Sequence, residues 1–93
     1  MNLYLLINTT LRGYDTYDNC VVAAPNFKKA RTIHPEGSGL YVARDGRWHY
    51  DTGDVVDSMY LSWPQPEALD VLLIGRAEHG ITPGVICSSF NAG

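Results

Sequence analysis

The length, composition and charge of this chain limit the classes of protein to which it can belong. Of its 93 residues, 45% are hydrophobic and 18% are charged, which is enough apolar material for one packed core and argues against a disordered protein. A net charge of −3 argues against sequence-independent binding to DNA or RNA, because that affinity needs many Lys and Arg contacts to phosphates. We expect a single domain over residues 1–93 with no direct nucleic-acid partner.

The beginning of the chain predicts two antiparallel strands joined by a long loop. Residues 3–7 form a short apolar run, and residues 19–24 are centred on Val21 and Val22. The connection between the two runs, residues 8–18, is polar and rich in turn-forming residues.

One short helix is predicted after these strands. Asn26 is a good N-cap, and Phe27, Ala30 and Ile33 recur at three-residue spacing to form an apolar stripe. Pro35 ends the helix, because the residue before a proline is pushed out of the helical region. A helix of about two turns is stable only where it packs against other structure.

A second hairpin is predicted after a linker at residues 36–39. The segments 40–44 and 47–50 flank Asp45 and Gly46, a two-residue sequence that is typical of tight hairpin turns. The two segments should therefore pair with each other.

The rest of the chain predicts two further strands. Pro64 and Pro66 limit residues 58–63 to a short edge strand at best. Residues 69–75 are the most apolar segment and are typical of a central strand, and residues 85–90 fit a last strand.

The order of these elements predicts an α+β fold. Strands and helices do not alternate in the way that builds a doubly wound parallel sheet. We therefore expect a small antiparallel or mixed β-sheet of four to six strands, with one short helix packed on a face.

The loop before the second strand is the strongest candidate for a partner-binding segment. It contains Arg12, Tyr14, Asp15, Tyr17 and Asp18. Tyrosine offers a large contact area at low entropic cost, and carboxylates can pair with arginines of a partner. In the alternative interpretation the two aspartates cap turns while a tyrosine covers the edge of the core.

The second hairpin holds a candidate ligand-binding group. Arg44 and Arg47 lie beside Trp48, and arginines stacked on aromatic rings can receive an anionic ligand. Ordinary cross-strand pairing explains the same residues equally well.

No spacing of reactive side chains predicts catalysis or metal binding. His34, His49 and His79 are the histidines, and none of them forms a His-x-x-x-His pair. Cys87 and Ser88 lack a surrounding Gly-x-Ser-x-Gly sequence, and alternation along a strand would place them on opposite faces. We expect a protein that is not an enzyme, with no catalytic residues, metal or cofactor.

The cysteines and the first residues bear on the compartment. Residues 1–8 lack the basic flank and the cleavage site of a secretory signal, and no run approaches the roughly 18 apolar residues that span a bilayer. We therefore expect a cytoplasmic protein with no membrane partner. In that compartment Cys20 and Cys87 should be reduced thiols in the core rather than a disulfide.

Four segments resemble a group of short uncharacterised proteins of bacteriophages and prophages. They are Gly-Tyr-Asp-Thr-Tyr-Asp at 13–18, Val-Val-Ala-Ala at 21–24, Ala-Arg-Thr-Ile-His-Pro at 30–35 and Ser-Phe-Asn-Ala-Gly at 89–93. The resemblance implies a phage-type protein that works in the cytosol of a host bacterium. By analogy, small phage proteins without enzyme motifs are often inhibitors of a host protein, and anti-CRISPR proteins are one such class.

The leading hypothesis is therefore a binding protein that inhibits a bacterial defence protein by occluding its working surface, with a CRISPR–Cas component as the most specific partner. The alternative is a small-molecule binding protein for a nucleotide signal, and a small hydrolase or transferase comes third. Ten aromatic residues in so short a chain also leave a homodimer open, because some aromatic area should remain outside the core.

Overall fold

The fold is built on a four-stranded antiparallel sheet and a separate two-stranded hairpin. In chain order the strands are β1 (Asn2–Ile7), β2 (Thr16–Ala24), β3 (Leu40–Val42), β4 (Trp48–Tyr50), β5 (Asp70–Arg76) and β6 (Gly84–Asn91). The four-stranded sheet has the order β5-β1-β2-β6, and β3 pairs with β4. One α-helix, α1, spans Phe27–Ala30, and short 3₁₀ turns span Ser58–Tyr60 and Pro66–Ala68.

This architecture, seen in a computed structural model that describes residues 1–37 and 39–91, confirms the predicted α+β class. Ser38 of the predicted linker and Ala92 and Gly93 of the last resemblance segment lie outside the described residues. Within that described part, no helix is long and apolar enough to cross a membrane.

Alternation along the two central strands creates the core. Tyr4 and Leu6 of β1 lie opposite Val22 and Cys20 of β2, and all four side chains are almost fully buried. Successive residues of a strand point to opposite faces, so these four occupy the same face of the sheet. Ala24 of β2 joins them in the core cluster, and the segments that cover this face contribute Ala30, Trp48, Val56, Trp63 and Leu69.

Helix α1 is shorter than the predicted two turns. Asn26 caps it as expected, its side-chain oxygen accepting a hydrogen bond from the Lys29 backbone N–H at 2.8 Å. After Ala30 the backbone N–H groups of Thr32 and Ile33 bond three residues back, which tightens the chain into turns. The Thr32 hydroxyl also donates to the Lys29 carbonyl and competes for a helical acceptor.

The β3–β4 hairpin forms where Asp45 and Gly46 predicted it, and it is fastened to the chain that follows. The indole N–H of Trp48 donates to the Pro64 carbonyl at 2.8 Å, and the Trp48 backbone N–H donates to the Gln65 side chain at 3.0 Å. Trp48, Trp63 and Pro64 are fully buried. Residues 58–63, which the prolines limited to a short edge strand at best, form no strand and include the 3₁₀ turn Ser58–Tyr60.

Two strand predictions are wrong in position. Strand β5 lies at the edge of the sheet, although its apolar sequence is typical of a central strand. Strand β2 begins at Thr16 rather than at residue 19, because Thr16 and Tyr17 pair with Asn91 and Phe90 of β6. Tertiary pairing thus extends a strand into a segment whose composition resembles a loop.

Arg31 joins helix α1 to the start of β5. Its guanidinium donates hydrogen bonds to the carbonyls of Pro66 at 3.0 Å and Leu69 at 2.7 Å. Among the clustered cations Lys28, Lys29 and Arg31, the two lysines are exposed and Arg31 is half-buried. Arg31 thus donates hydrogen bonds to backbone carbonyls of a segment that is not paired in a β-sheet.

The substitution Arg31→Met should lower the free energy of unfolding by about 1.5–3 kcal/mol, since hydrogen bonds from a charged donor contribute that much and the carbonyls lose their partner. Lys28→Met in the adjoining helix α1 removes the same charge from an exposed position and should change the free energy of unfolding by less than about 0.5 kcal/mol. Urea unfolding of both variants checks this expectation. Equal effects would show that the charge, not the hydrogen bonds, stabilises the fold.

Candidate functional site

One face of the four-stranded sheet is covered and the other is open. Leu3, Leu5 and Ile7 alternate with the buried residues of β1 and so lie on the opposite face. Residues paired directly across antiparallel strands share a face, which adds residues of the other three strands. We call this surface the open face and define it by Leu3, Leu5, Ile7, Val21, Leu72, Cys87 and Ile86.

A continuous row of non-polar side chains crosses the open face. Leu72 of β5 pairs with Leu5 of β1, Leu5 pairs with Val21 of β2, and Val21 pairs with Cys87 of β6. Leu72 keeps 52% of its surface exposed and Ile86, at a bulge in β6, keeps 50%. The buried residues of α1, the hairpin and the turns all belong to the core on the other face. Leu72, Ile86 and Cys87 therefore meet solvent, and Leu5 and Val21 between them are half-buried.

The open face has a polar border at one end and a cavity at the other. Ile7 pairs with Asp70 and Asn19, and Asn19 pairs with Ser89, so the row at this end is mostly polar. At the other end lies a cavity of about 250 Å³, lined by Leu3, Arg76, Ala77, Glu78, Ile81 and Ile86. An apolar centre with a polar rim is the composition of protein–protein contact surfaces.

Strand β5 adds an exposed aliphatic edge to this surface. Leu72, Leu73 and Ile74 are consecutive residues with 52%, 54% and 51% of their surfaces exposed. In the described part of the chain, β5 pairs only with β1, which leaves its outer backbone edge free for another strand. The sequence marked this segment as apolar, and the topology leaves it uncovered.

The predicted partner-binding segment is split between a loop and a strand. Arg12 and Tyr14 lie in the loop, and Tyr14 is 75% exposed. Asp15 adopts a positive φ of 59°, and its N–H donates to the Asn91 carbonyl at 2.6 Å. Tyr17 belongs to β2 and is half-buried, its ring centre 4.7 Å from that of Phe90.

Two observations refine the roles of this segment. Burial raises the pKa of Tyr17, and with its ring against Phe90 this residue covers the edge of the core, as the alternative interpretation proposed. Asp18 is exposed on β2 and its carboxylate accepts a hydrogen bond from the Ser89 hydroxyl at 3.4 Å. The segment lies at the end of the sheet that carries the polar border of the open face.

The predicted ligand-binding group is not assembled around an exposed ring. Trp48 is fully buried, so its ring offers no surface to a ligand, while Arg44 and Arg47 are exposed near the hairpin turn. The turn is instead closed by His49, whose ring nitrogens lie 2.9 Å from a carboxylate oxygen of Asp45 and 3.0 Å from the Gly53 carbonyl. These two acceptors raise the pKa of His49. Binding by the two arginines stays a prediction.

A second cavity, which the sequence did not indicate, surrounds His34. It measures about 120 Å³ and is lined by His34, Glu36, Leu40, Tyr50, Val56, Tyr60, Leu61 and Ser62. The Nδ1 atom of His34 accepts a hydrogen bond from the Glu36 backbone N–H at 3.0 Å, so the neutral ring carries its proton on Nε2. Burial lowers the pKa of His34 from 6.5 to about 4.

Two polar side chains of this cavity, Ser62 and Glu36, bond to each other. The Ser62 hydroxyl donates to the Glu36 carboxylate at 2.5 Å rather than to the His34 ring, whose edge packs on Trp48 with ring centres 4.8 Å apart. A serine nucleophile would need its hydroxyl within hydrogen-bond reach of a base such as the imidazole. The hydrogen bond to Nδ1 and the packing on Trp48 therefore hold His34 in place as a neutral ring.

The cysteines lie on opposite faces of the sheet. Cys20 belongs to the core, and burial raises the pKa of its thiol to about 12. Cys87 is exposed on the open face, so the prediction of two core thiols is right for Cys20 and wrong for Cys87. The reason is that β6 is an edge strand with one uncovered face. Within residues 1–37 and 39–91, no three His, Cys, Asp or Glu side chains are grouped to hold a metal ion.

Comparisons with protein-family models, with curated proteins and with solved structures return no match to this chain.

The two cysteines should differ sharply in their reaction with a water-soluble thiol reagent such as Ellman's reagent. In the folded protein Cys87 should react and Cys20 should not, because the reactive thiolate of Cys20 is both buried and disfavoured. Absorbance should report one thiol per chain before unfolding and two in urea. Cys87→Ser should abolish the reaction of the folded protein, and reaction of both thiols in the folded wild type would contradict the assigned faces.

His34 should make the fold sensitive to acid. In the unfolded chain an imidazole binds a proton as the pH falls below about 6.5, whereas in the folded protein His34 resists protonation until about pH 4. The unfolded state therefore binds more protons in this window, and the free energy of unfolding should fall by about 2–3 kcal/mol on going from pH 7 to pH 4.5.

The matched control for this expectation is His34→Asn, which keeps an acceptor for the Glu36 N–H and cannot be charged. Carboxylates and His49 titrate in both proteins, so the difference between their pH profiles in urea unfolding isolates His34. Parallel profiles would rule out a buried neutral imidazole.

Proposed function

We propose that this chain is a binding protein that acts by covering a surface of another protein, and that the open face is its contact surface. The observation that carries the proposal is the row Leu72, Leu5, Val21 and Cys87, which crosses all four strands without a covering layer. Burial of apolar surface yields about 25 cal/mol per Å², so covering such a row is favourable. Large exposed apolar patches in small proteins commonly mark interaction sites.

The border of the open face indicates the character of the partner. Asp70 and Asp18 lie at or beside its polar end, and the exposed Tyr14 belongs to the loop at the same end of the sheet. An apolar centre flanked by carboxylates and a tyrosine suits a protein surface that is apolar with basic residues on one side. Tyr14 and Asp18 of the segment predicted to bind a partner support the proposal because they lie at this end of the sheet, whereas Tyr17 packs against the core.

In its most specific form the proposal names the partner as a bacterial defence protein and the action as inhibition, as in anti-CRISPR proteins. The support for this form is the resemblance of the segments at 13–18, 21–24, 30–35 and 89–93 to phage and prophage proteins. A surface with an acidic border could block a basic groove that otherwise holds nucleic acid. The net charge of −3 makes occlusion by contact a better description than mimicry of a nucleic acid.

Leu72→Asp should abolish inhibition while leaving the fold intact. Leu72 belongs to the apolar row of the proposed contact, and loss of a buried hot-spot residue typically weakens binding by about 2 kcal/mol or more, which is about thirtyfold. The side chain is half-exposed, so the folded chain tolerates the charge. The measurement is phage plaque formation on bacteria whose CRISPR–Cas system blocks that phage, with and without the expressed chain.

The matched control is Met59→Asp, which introduces the same charge at a 76% exposed apolar residue in the turn Ser58–Tyr60. Wild type and Met59→Asp should restore plaques, and Leu72→Asp should not. If wild type restores no plaques against any tested CRISPR–Cas type, that result would contradict the anti-CRISPR form of the proposal.

The broader proposal has its own test, a photo-crosslinker attached to the Cys87 thiol on the open face. It should yield a discrete adduct with one bacterial protein, whereas the same label on a Met59→Cys, Cys87→Ser variant should not. Equal adducts from both positions would contradict binding through the open face.

A further inference from the structure

We propose that the cavity around His34 binds a small organic cation that also carries a hydrogen-bond acceptor, with a quaternary ammonium alcohol as the type of ligand. This inference goes beyond the proposed function, because the residues that line the cavity lie between positions 34 and 62, outside the four-stranded sheet that carries the open face. Three properties of the cavity support it: its charge, an unpaired hydrogen-bond donor, and its aliphatic and aromatic lining.

The first property is the sign of the charge in the cavity. Among the described residues that line it there is no lysine or arginine, and His34 is neutral at pH 7 because burial lowers its pKa to about 4. Glu36 supplies a carboxylate, which accepts a hydrogen bond from the Ser62 hydroxyl and keeps further lone pairs free. This carboxylate repels an anionic ligand such as a nucleotide and attracts a cation.

The second property is a hydrogen-bond donor without a partner. His34 keeps only 4% of its surface exposed, and the proton of its neutral ring is on Nε2, since Nδ1 accepts from the Glu36 N–H. No described residue forms a hydrogen bond with this Nε2 atom. Nor is the atom sealed in, because Nε1 of Trp63 is the one fully enclosed unpaired polar side-chain atom in the described chain. The cavity that His34 lines is therefore where a ligand would supply the missing acceptor.

The third property is the rest of the lining, to which Leu40, Val56 and Leu61 contribute aliphatic side chains and Tyr50 and Tyr60 contribute phenol rings. A primary ammonium group has three N–H donors that each need an acceptor, whereas a cation covered by methyl groups can lie against such a lining. Aromatic rings also attract quaternary ammonium groups. The volume of about 120 Å³ is somewhat smaller than the roughly 150 Å³ of a cavity that holds benzene, which limits the ligand to a small molecule. Tyr60 is exposed, so the ligand can enter from solvent.

The first test compares choline with the neutral alcohol of the same shape, in which a carbon atom replaces the charged nitrogen. At pH 7 and constant ionic strength, NMR titration of the isotope-labelled chain with choline chloride should give saturable shift changes at His34, Tyr50 and Leu61. The neutral alcohol keeps the hydroxyl group but lacks the charge, so it should bind about tenfold more weakly. Absence of saturable changes with choline, or equal affinity for the two molecules, overturns the inference.

Glu36→Gln isolates the charge of the cavity. Glutamine keeps an acceptor for the Ser62 hydroxyl, and the backbone N–H that bonds to His34 is unchanged. The affinity for choline should fall about tenfold, to that of the neutral alcohol. The matched control Glu67→Gln removes the same charge from an exposed position in the turn Pro66–Ala68, which does not line the cavity, and should leave the affinity unchanged. Equal affinities of the two variants would show that choline responds to net charge alone and would overturn the site.

His34→Asn isolates the hydrogen-bond donor, because asparagine keeps an acceptor for the Glu36 N–H but has no atom in the place of Nε2. This variant should bind choline about fivefold more weakly, whereas tetramethylammonium, which has no hydroxyl group, should bind as it does to wild type. Equal losses for both cations in a folded variant would refute the assignment of Nε2 as the donor to the ligand. Circular dichroism of each variant is the control for folding, and the comparison of Glu36→Gln with Glu67→Gln tests the site without any change at His34.

Discussion

The main constraint on this structure is that the chain has few residues left to cover the two faces of its four-stranded sheet. Four strands present two faces, and each buried face needs a second layer packed against it. The available layer consists of a four-residue helix, a hairpin with three-residue strands and a few turns. This layer is enough to cover one face of the sheet, because Trp48 and Trp63 supply large, fully buried side chains. Without them a longer helix would be needed. Nothing comparable in the described chain remains for the other face.

The layer that covers the sheet has no long helix or strand. Side chains therefore supply hydrogen bonds that neighbouring backbone groups would supply in regular secondary structure. Arg31 and the Trp48 indole donate to three carbonyls of the segment 64–69, and Gln65 accepts from the Trp48 backbone. Buried backbone groups must be paired, and these donors do it across the layer. His34 belongs to the same solution: its neutral ring fixes the chain after Thr32 through the Glu36 N–H and packs on Trp48. These side-chain hydrogen bonds thus fix an irregular backbone in place.

Local signals in the sequence identified most elements, because each depends on nearby residues. The Asn26 cap, the Asp45-Gly46 turn and the apolar run of β1 all act within a few positions. The lateral position of β5 is a different matter, since an apolar strand looks the same whether it pairs on one side or on two. Likewise Tyr17 becomes part of β2 only because Phe90 pairs with it from a distant part of the chain.

The candidate surface was only partly predictable for the same reason. Tyr14, Asp15 and Asp18 are exposed as a recognition segment requires, and composition alone pointed to them. Leu5 and Val21 belong to predicted strands, but their strand faces become a surface only because no layer covers them. Trp48 was considered as part of an exposed ligand-binding group, but its side chain is buried. A three-residue strand is too short for the alternation of residue types to reveal which side chain is buried.

The exposed edge of β5 and the open face both leave apolar area in contact with water, and the two overlap at Leu72. Leu72, Leu73 and Ile74 are each about half exposed, so in the isolated chain much of their apolar area contributes nothing to stability and favours aggregation. Leu72 is at the same time a residue of this edge strand and a residue of the open face, in one row with Leu5 and Val21. A partner bound to the open face would therefore cover part of the apolar area that β5 leaves exposed, so binding and protection of the strand have the same physical cause.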